Sequence, residues 1–95
     1  MPAYVIVDVS IRDAATYEEY KKLTPASLEA FGGKFIVRGG QAEPVEGNWQ
    51  PGRIVVAEFP DMETLRRWYD SDIYTEAKRI RHASADTKMI FVEGV

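Results

Sequence analysis

The 95-residue chain contains no cysteine. Disulfides, thiolate nucleophiles and thiolate metal sites are therefore excluded. It has one histidine, His82, so no His pair exists to ligate a metal, and no acidic loop of EF-hand spacing replaces it. Positive charge is not in excess: 12 Lys and Arg stand against 15 Asp and Glu, a net charge of −3, with a pI near 5.1. That balance argues against nucleic acid or an anionic membrane as the main partner. The aromatic residues are not interleaved with a basic stripe, so a single-strand stacking platform is also unexpected. No apolar run approaches the ~20 residues of a membrane span. The opening stretch MPAYVIVDVS has no basic n-region and no long apolar core of a signal peptide. A glycine-rich phosphate loop and a Gly-x-Ser-x-Gly elbow are both missing. The expectation is a cytoplasmic protein with no metal, no cofactor, no nucleic acid and no membrane partner.

What is present reads as one domain over residues 1–95, with a thin core that buries roughly 60–65% of the unfolded surface. Tyr4–Ile11, YVIVDVSI, is a β-branched strand. Asp13 offers an N-cap to a helix whose Tyr17, Tyr20, Thr24, Ser27, Leu28 and Phe31 fall at three- and four-residue steps. Pro25 should kink or split that helix near Thr24, and Gly32 and Gly33 should end it. KFIVRGG, Lys34–Gly40, is a second strand, Gln41–Gly52 a loop, and RIVVAEF, Arg53–Phe59, a third strand ended by Pro60. Asp61 caps a second helical region, and Ser71 looks like a fresh N-cap that breaks it at Asp70–Ser71. Thr87–Glu93 is the last strand. The order β-α-β-β-α-β predicts an α+β, ferredoxin-like domain: a four-stranded antiparallel sheet with its helices on one face.

Strand alternation then raises a difficulty. Val5, Val7, Val9 and Ile11 share one side of the first strand; Tyr4, Ile6, Asp8 and Ser10 share the other. In the third, Val55, Ala57 and Phe59 oppose Ile54, Val56 and Glu58. Both sides are apolar, so a monomer would leave Tyr4, Ile6, Ile36, Ile54 and Val56 in water. Patches of that kind mark interfaces, and a homodimer closed sheet to sheet is the simplest remedy. With Phe35 and Val37 under the helices, Lys34, Ile36 and Arg38 point to the helix-free face beside Glu58 and Asp8. Gly39 and Gly40 permit a bulge, and a one-residue shift would reverse this placement. Two readings of Arg38 stand side by side: its fork grips a ligand carboxylate, or it forms a structural pair with Glu58.

FGGKFIVRGG, the strand end VVAEFPD, WYDSDIY and the closing VEGV together resemble a family of small bacterial proteins that bears a domain-of-unknown-function label within the dimeric α/β-barrel superfamily. The resemblance covers nearly the whole chain. It implies a ferredoxin-like protomer and a homodimer, and brings no established activity. The superfamily includes cofactor-independent monooxygenases, lactone isomerases and haem-handling enzymes, which use the cavity between sheet and helices. The positions matching the family motif are Arg38, Gly39, Gly40, Glu58, Ser71 and Tyr74. Haem-degrading relatives use an Asn on the first strand with a Trp and a His; Trp68 and His82 exist here, but Asp8 stands where the Asn is needed, and haem is not assigned.

The candidate ligand-binding residues are Arg38, Glu58, Ser71, Tyr74 and Trp49; the candidate proton carriers are His82, Asp8 and Glu58. Each has a bland counterpart. Ser71 is an N-cap. Tyr74 can pack on the sheet, and Trp49, in EGNWQPG, can plug a cavity or meet a partner subunit. His82, late in a helix, suits the macrodipole on a solvated surface. Two functions follow. One is binding of a small organic molecule bearing a carboxylate or enolate, with cofactor-independent oxygenation or isomerisation as the chemistry. The other is a non-catalytic dimeric interaction module in which Arg38–Glu58 is structural.

Overall fold

β-Branched and small residues at alternate positions of the first strand set the sheet. In the computed structural model, which describes residues 1–95, Ala3, Val5, Val7 and Val9 are buried and the residues between them are half-buried. The elements are β1 (Ala3–Ile11), α1 (Ala14–Glu29), β2 (Lys34–Arg38), β3 (Arg53–Phe59), α2 (Met62–Tyr69), α3 (Asp72–Ser84) and β4 (Ala85–Glu93). The strands form one sheet in the order β2-β3-β1-β4, every neighbouring pair antiparallel. The fold is α+β and ferredoxin-like, with the second helical region divided into α2 and α3. The division falls where Ser71 was expected to restart the helix: its hydroxyl accepts from the Tyr74 N–H. Asp13 and Asp61 cap α1 and α2 in the same way, accepting from Thr16 and Thr64.

All three helices lie on one face. Leu28 from α1, Leu65 and Trp68 from α2, and Tyr74 and Ala77 from α3 close over Ala3, Val5, Ala57 and Phe59. Full burial of each large side chain here is worth roughly 1.5–3 kcal/mol. Trp68 is central, its ring 4.0 Å from Tyr74 and 5.1 Å from Phe59. Its indole N–H donates to Ser27 Oγ at 3.1 Å, and that hydroxyl donates to the Thr24 carbonyl. The one polar atom of the ring is thus satisfied inside the core.

β2 corrects the expected placement of Arg38. The register against β3 runs Lys34–Glu58, Phe35–Ala57, then slips, so that Val37 faces Val56 and Arg38 faces Val55. The bulge between Phe35 and Val37 leaves Ile36 and Val37 together on the helix-free side and turns Arg38 to the helix side. Val55 shares that side with buried Ala57 and Phe59. Glu58 is on the other face, where it accepts from the Tyr4 hydroxyl at 3.1 Å and pairs with Lys34 at 3.4 Å. No Arg38–Glu58 pair forms.

Pro25 does not split α1, which runs unbroken through it. Proline has no N–H, so the carbonyl four residues back, that of Lys21, loses its helical donor. Arg38 Nη2 donates to that carbonyl at 2.9 Å, and the Thr24 hydroxyl donates to the neighbouring Tyr20 carbonyl at 2.7 Å. An interior proline costs about 3 kcal/mol against alanine; the borrowed donor from β2 offsets part of that and ties α1 to the strand.

The helix-free face carries exposed Ile36, Ile90 and Val92, with Ile6, Ile54 and Val56 half-buried between them. Over one end lies the loop before β3. Its Trp49 indole donates to Asp8 Oδ2 at 2.8 Å, and the Gly52 N–H donates to Asp8 Oδ1 at 2.9 Å. These two bonds, the indole first, hold the Asp8 carboxyl below its ordinary 3.8.

Two outcomes are expected. Gly39 has a φ of +75° and a side chain added there would collide with the Arg53 guanidinium, whereas nothing lies near a side chain added at Gly40. Gly39→Ala should lose about 1–3 kcal/mol in urea denaturation and Gly40→Ala at most about 0.5 kcal/mol; equal losses would refute the packing of Arg53 on Gly39. The depressed Asp8 pKa makes the loop clamp a contribution present above pH 3.8 and lost as pH falls through the lower folded value. The Trp49 indole N–H resonance should titrate with a midpoint below 3.8; a midpoint at or above it would show that the clamp is absent in solution.

Candidate functional site

A narrow cavity of about 20 Å³ lies between the sheet and α1, space enough for one water-sized group. Val7 and Val9 from β1, Phe35 from β2 and Val55 from β3 give it apolar walls. α1 contributes Tyr17, Tyr20 and Thr24, with Lys21 at the rim. Three arginines complete the lining: Arg38 at the end of β2, Arg53 at the start of β3, and Arg81 from α3. No carboxylate and no imidazole is among the lining residues.

Arg81 is 2% exposed. Its Nη1 donates to Thr87 Oγ1 at 2.6 Å, and Nη2 stands 3.5 Å from His82 Nε2, a distance at which a hydrogen bond is weak. Its Nε is buried and bonded to no protein group. Arg53 is half-buried, with its guanidinium carbon 5.9 Å from the centre of the Tyr17 ring, and its Nε is likewise buried without a protein partner. Arg38 is exposed at the mouth, held by the Lys21 carbonyl and stacked 4.4 Å over the Phe35 ring. Guanidinium is charged at every working pH and has five donors and no acceptor. A buried charge without an opposite charge is expensive, several kcal/mol per ion.

The phenols add more donors. Tyr20 and Tyr74 share a hydrogen bond at 2.8 Å. Burial pushes the Tyr20 hydroxyl far above its ordinary value of 10, and burial also raises Tyr74 and Tyr17. All three stay protonated at neutral pH. The site therefore presents fixed positive charge and O–H and N–H donors, a combination that holds an oxyanion. It offers no carboxylate or imidazole to take a proton from carbon.

Of the residues singled out in the sequence, Arg38 reaches this cavity, from the face opposite to the one expected. Tyr74 is fully buried and touches the site through the Tyr20 hydroxyl. Ser71 is occupied as the cap of α3, also donating to the Trp68 carbonyl. Glu58, Asp8 and Trp49 lie across the sheet from the cavity, because Tyr4–Glu58 and Asp8–Ile54 are outward-facing pairs of β1 and β3. Asp8 and Trp49 instead border a wider, shallow depression of about 430 Å³ with Ile6, Ile54 and Ile90. His82 is exposed and does not line the cavity, although its Nε2 stands 3.5 Å from Arg81 Nη2. Burial, then the charges of Arg81 and Lys78, lowers its pKa. No group of three or more His, Cys, Asp or Glu side chains is gathered to hold a metal.

Arg53 and Arg81 were not singled out, although spacing points to both. Arg53 is two residues before Val55 and shares its side of β3. Arg81 lies in the series Tyr74, Ala77, Arg81, Ser84, the buried face of α3.

Residues 2–95 match the family described as a domain of unknown function, DUF1330. No curated protein matches the chain. Among solved structures, a protein of unknown function from Rhodopseudomonas palustris superposes with a TM-score of 0.82 at 20% identity, covering 99% of this chain and 82% of that one. A dimeric ferredoxin-like protein of unknown function from Jannaschia sp. CCS1 gives 0.75 at 12% identity, covering 99% of this chain and 100% of that one. SnoaB, a cofactor-independent oxygenase from Streptomyces nogalater, gives 0.69 at 12% identity, covering 99% and 93%. At these identities the likeness is one of fold. With its match running over all but the first residue, the chain belongs to the DUF1330 family of domains of unknown function.

Proposed function

We propose that the protein binds a small organic anion, a carboxylate or an enolate, between the sheet and α1, and that it does so as a homodimer closed across the helix-free faces of its sheets. The observation that carries the first part is the Arg81 guanidinium: 2% exposed, without a carboxylate, and with an unbonded Nε. Arg53 repeats the pattern from the opposite wall. An oxyanion between them supplies both the missing charge and the missing acceptors. The cavity admits an oxygen of the anionic head, and the rest of the ligand lies toward the mouth.

The dimer is supported by the exposed apolar residues Ile36, Ile90 and Val92 of the uncovered face and by the dimeric ferredoxin-like neighbour. The solvent-facing lining of the cavity holds no general base of the usual kind, so the reading is charge stabilisation rather than proton abstraction. Cofactor-independent oxygenation, the activity named for SnoaB, and isomerisation of an enolisable compound both pass through such an anion. A substrate of either kind would have to be acidic enough to ionise in a field of guanidinium groups.

The competing reading is a non-catalytic module with a structural Arg38–Glu58 pair. The small cavity favours a packed interior, but the pair is absent, and packing alone leaves the two buried Nε atoms without purpose.

Arg81→Met tests the reading, because an apolar side chain of similar length removes a buried charge at little cost to folding. Wild type should melt higher in small carboxylic acids such as benzoate. Ligand at a hundredfold excess over Kd adds roughly 2.7 kcal/mol, a rise of roughly 10 °C or more in a domain this size. Arg81→Met should melt no lower than wild type without ligand and should not respond. A wild type that no small carboxylate stabilises overturns the anion site. In sedimentation at micromolar protein, a species of twice the 10.8 kDa protomer is expected; a lone protomer overturns the dimer.

A further inference from the structure

Resting on the anion-binding reading, we infer that the ligand is a dianion with two separated carboxylates, the inner one held by Arg53 and Arg81 and the outer one by Arg38 at the mouth. Three guanidinium groups border one cavity with no carboxylate among the lining residues. A monoanion leaves this excess largely uncompensated. The second charge cannot share the interior, because about 20 Å³ is room for one water-sized group, a single carboxylate oxygen between the two inner guanidinium groups. It must lie at the mouth.

Two cations stand there, and they differ in availability. Lys21 is already bonded to Glu18 at 3.1 Å. Arg38 spends one of its five donors, Nη2, on the Lys21 carbonyl. No acidic side chain pairs with it, since Glu58 is on the far face with Tyr4 and Lys34. Its position is nevertheless fixed, by that carbonyl and by the Phe35 ring 4.4 Å away. A fork held in place with a free edge suits bidentate capture of a carboxylate. Pro25 is what makes the arrangement available: it removes the helical donor to Lys21 and so gives Arg38 a backbone anchor that leaves its charge unspent. Arg38 is on this account the residue that sets specificity, and the two inner arginines provide the common anion site.

Isothermal titration of succinate, glutarate and adipate, each beside its monomethyl ester, tests this. The half-esters keep length and one carboxylate and lose the second charge. Wild type should bind at least one diacid about tenfold or more tightly than its half-ester, the scale of one charge-assisted hydrogen-bonded pair. Arg38→Gln should bring diacid and half-ester within about twofold of each other, while Arg38→Lys, which keeps the charge but not the fork, should retain part of the preference. The Lys variant keeps the test sharp if the Gln variant loses stability through the Lys21 contact. Equal binding of diacid and half-ester by wild type, or a preference that survives in Arg38→Gln, overturns the dianion and leaves the inner anion site standing. Inorganic phosphate binding more tightly than every diacid also overturns it, in favour of a single doubly charged head. No binding of diacid, half-ester or phosphate removes the anion site itself, and the dianion with it.

Discussion

The interior arrangement depends on a guanidinium carried inside by helical geometry. Tyr74, Ala77, Arg81 and Ser84 form the buried face of α3, so the repeat that packs Tyr74 on Trp68 also places Arg81 beneath the sheet. Once there, the charge cannot be titrated away, because arginine does not deprotonate in proteins. It can only be paired or left costly. The surroundings supply a threonine hydroxyl, phenols and aliphatic walls, and none of these neutralises it. A core this small has few kilocalories to spare. A residue that works against burial is more readily understood as half of an interaction than as packing.

The same economy links α1 to β2. Pro25 would weaken α1 by orphaning the Lys21 carbonyl, and Arg38 makes up the missing donor from the neighbouring strand. That contact requires Arg38 on the helix side, which requires the bulge between Phe35 and Val37. Gly39 follows at once with positive φ, and its lack of a side chain leaves room for the Arg53 guanidinium. Bulge, proline and glycine are thus one device: together they bring Arg38 and Arg53 to the same cavity.

Much of the fold was legible because each signal had one physical meaning. Alternation in AYVIVDVSI fixed the faces of β1. Asp13, Asp61 and Ser71 marked the helix starts by offering acceptors to unpaired N–H groups. Ser71 thereby divided the second helical region where the chain divides it. The bulge was not legible. Phe35, Ile36 and Val37 are all apolar, so either register satisfies the hydrophobic pattern, and only the side taken by Arg38 tells them apart. Arg53 and Arg81 were legible in spacing, at i−2 from Val55 and at i+4 from Ala77, but a charged residue in a buried series reads as a boundary rather than a member. The Trp49–Asp8 bond joins positions 41 residues apart through an irregular loop, and no local periodicity encodes such a contact.

Fold likeness and site chemistry bear on different questions here. A ferredoxin-like sheet with helices on one face is shared with a cofactor-independent oxygenase and with proteins of unknown function alike, so the scaffold does not choose among activities. The side chains narrow the choice. A site for acid–base chemistry needs a group that exchanges a proton near neutral pH; here the sole histidine is exposed and does not line the cavity, Asp8 and Glu58 face the other side of the sheet, and the phenols are driven upward by burial. What the lining retains is permanent positive charge in a confined, mainly aliphatic space, where an anion is held more strongly than in water. On the anion-binding proposal, any reaction in that space would begin from a substrate that brings its own negative charge, and such a substrate would be set apart from its neutral analogues by charge before shape.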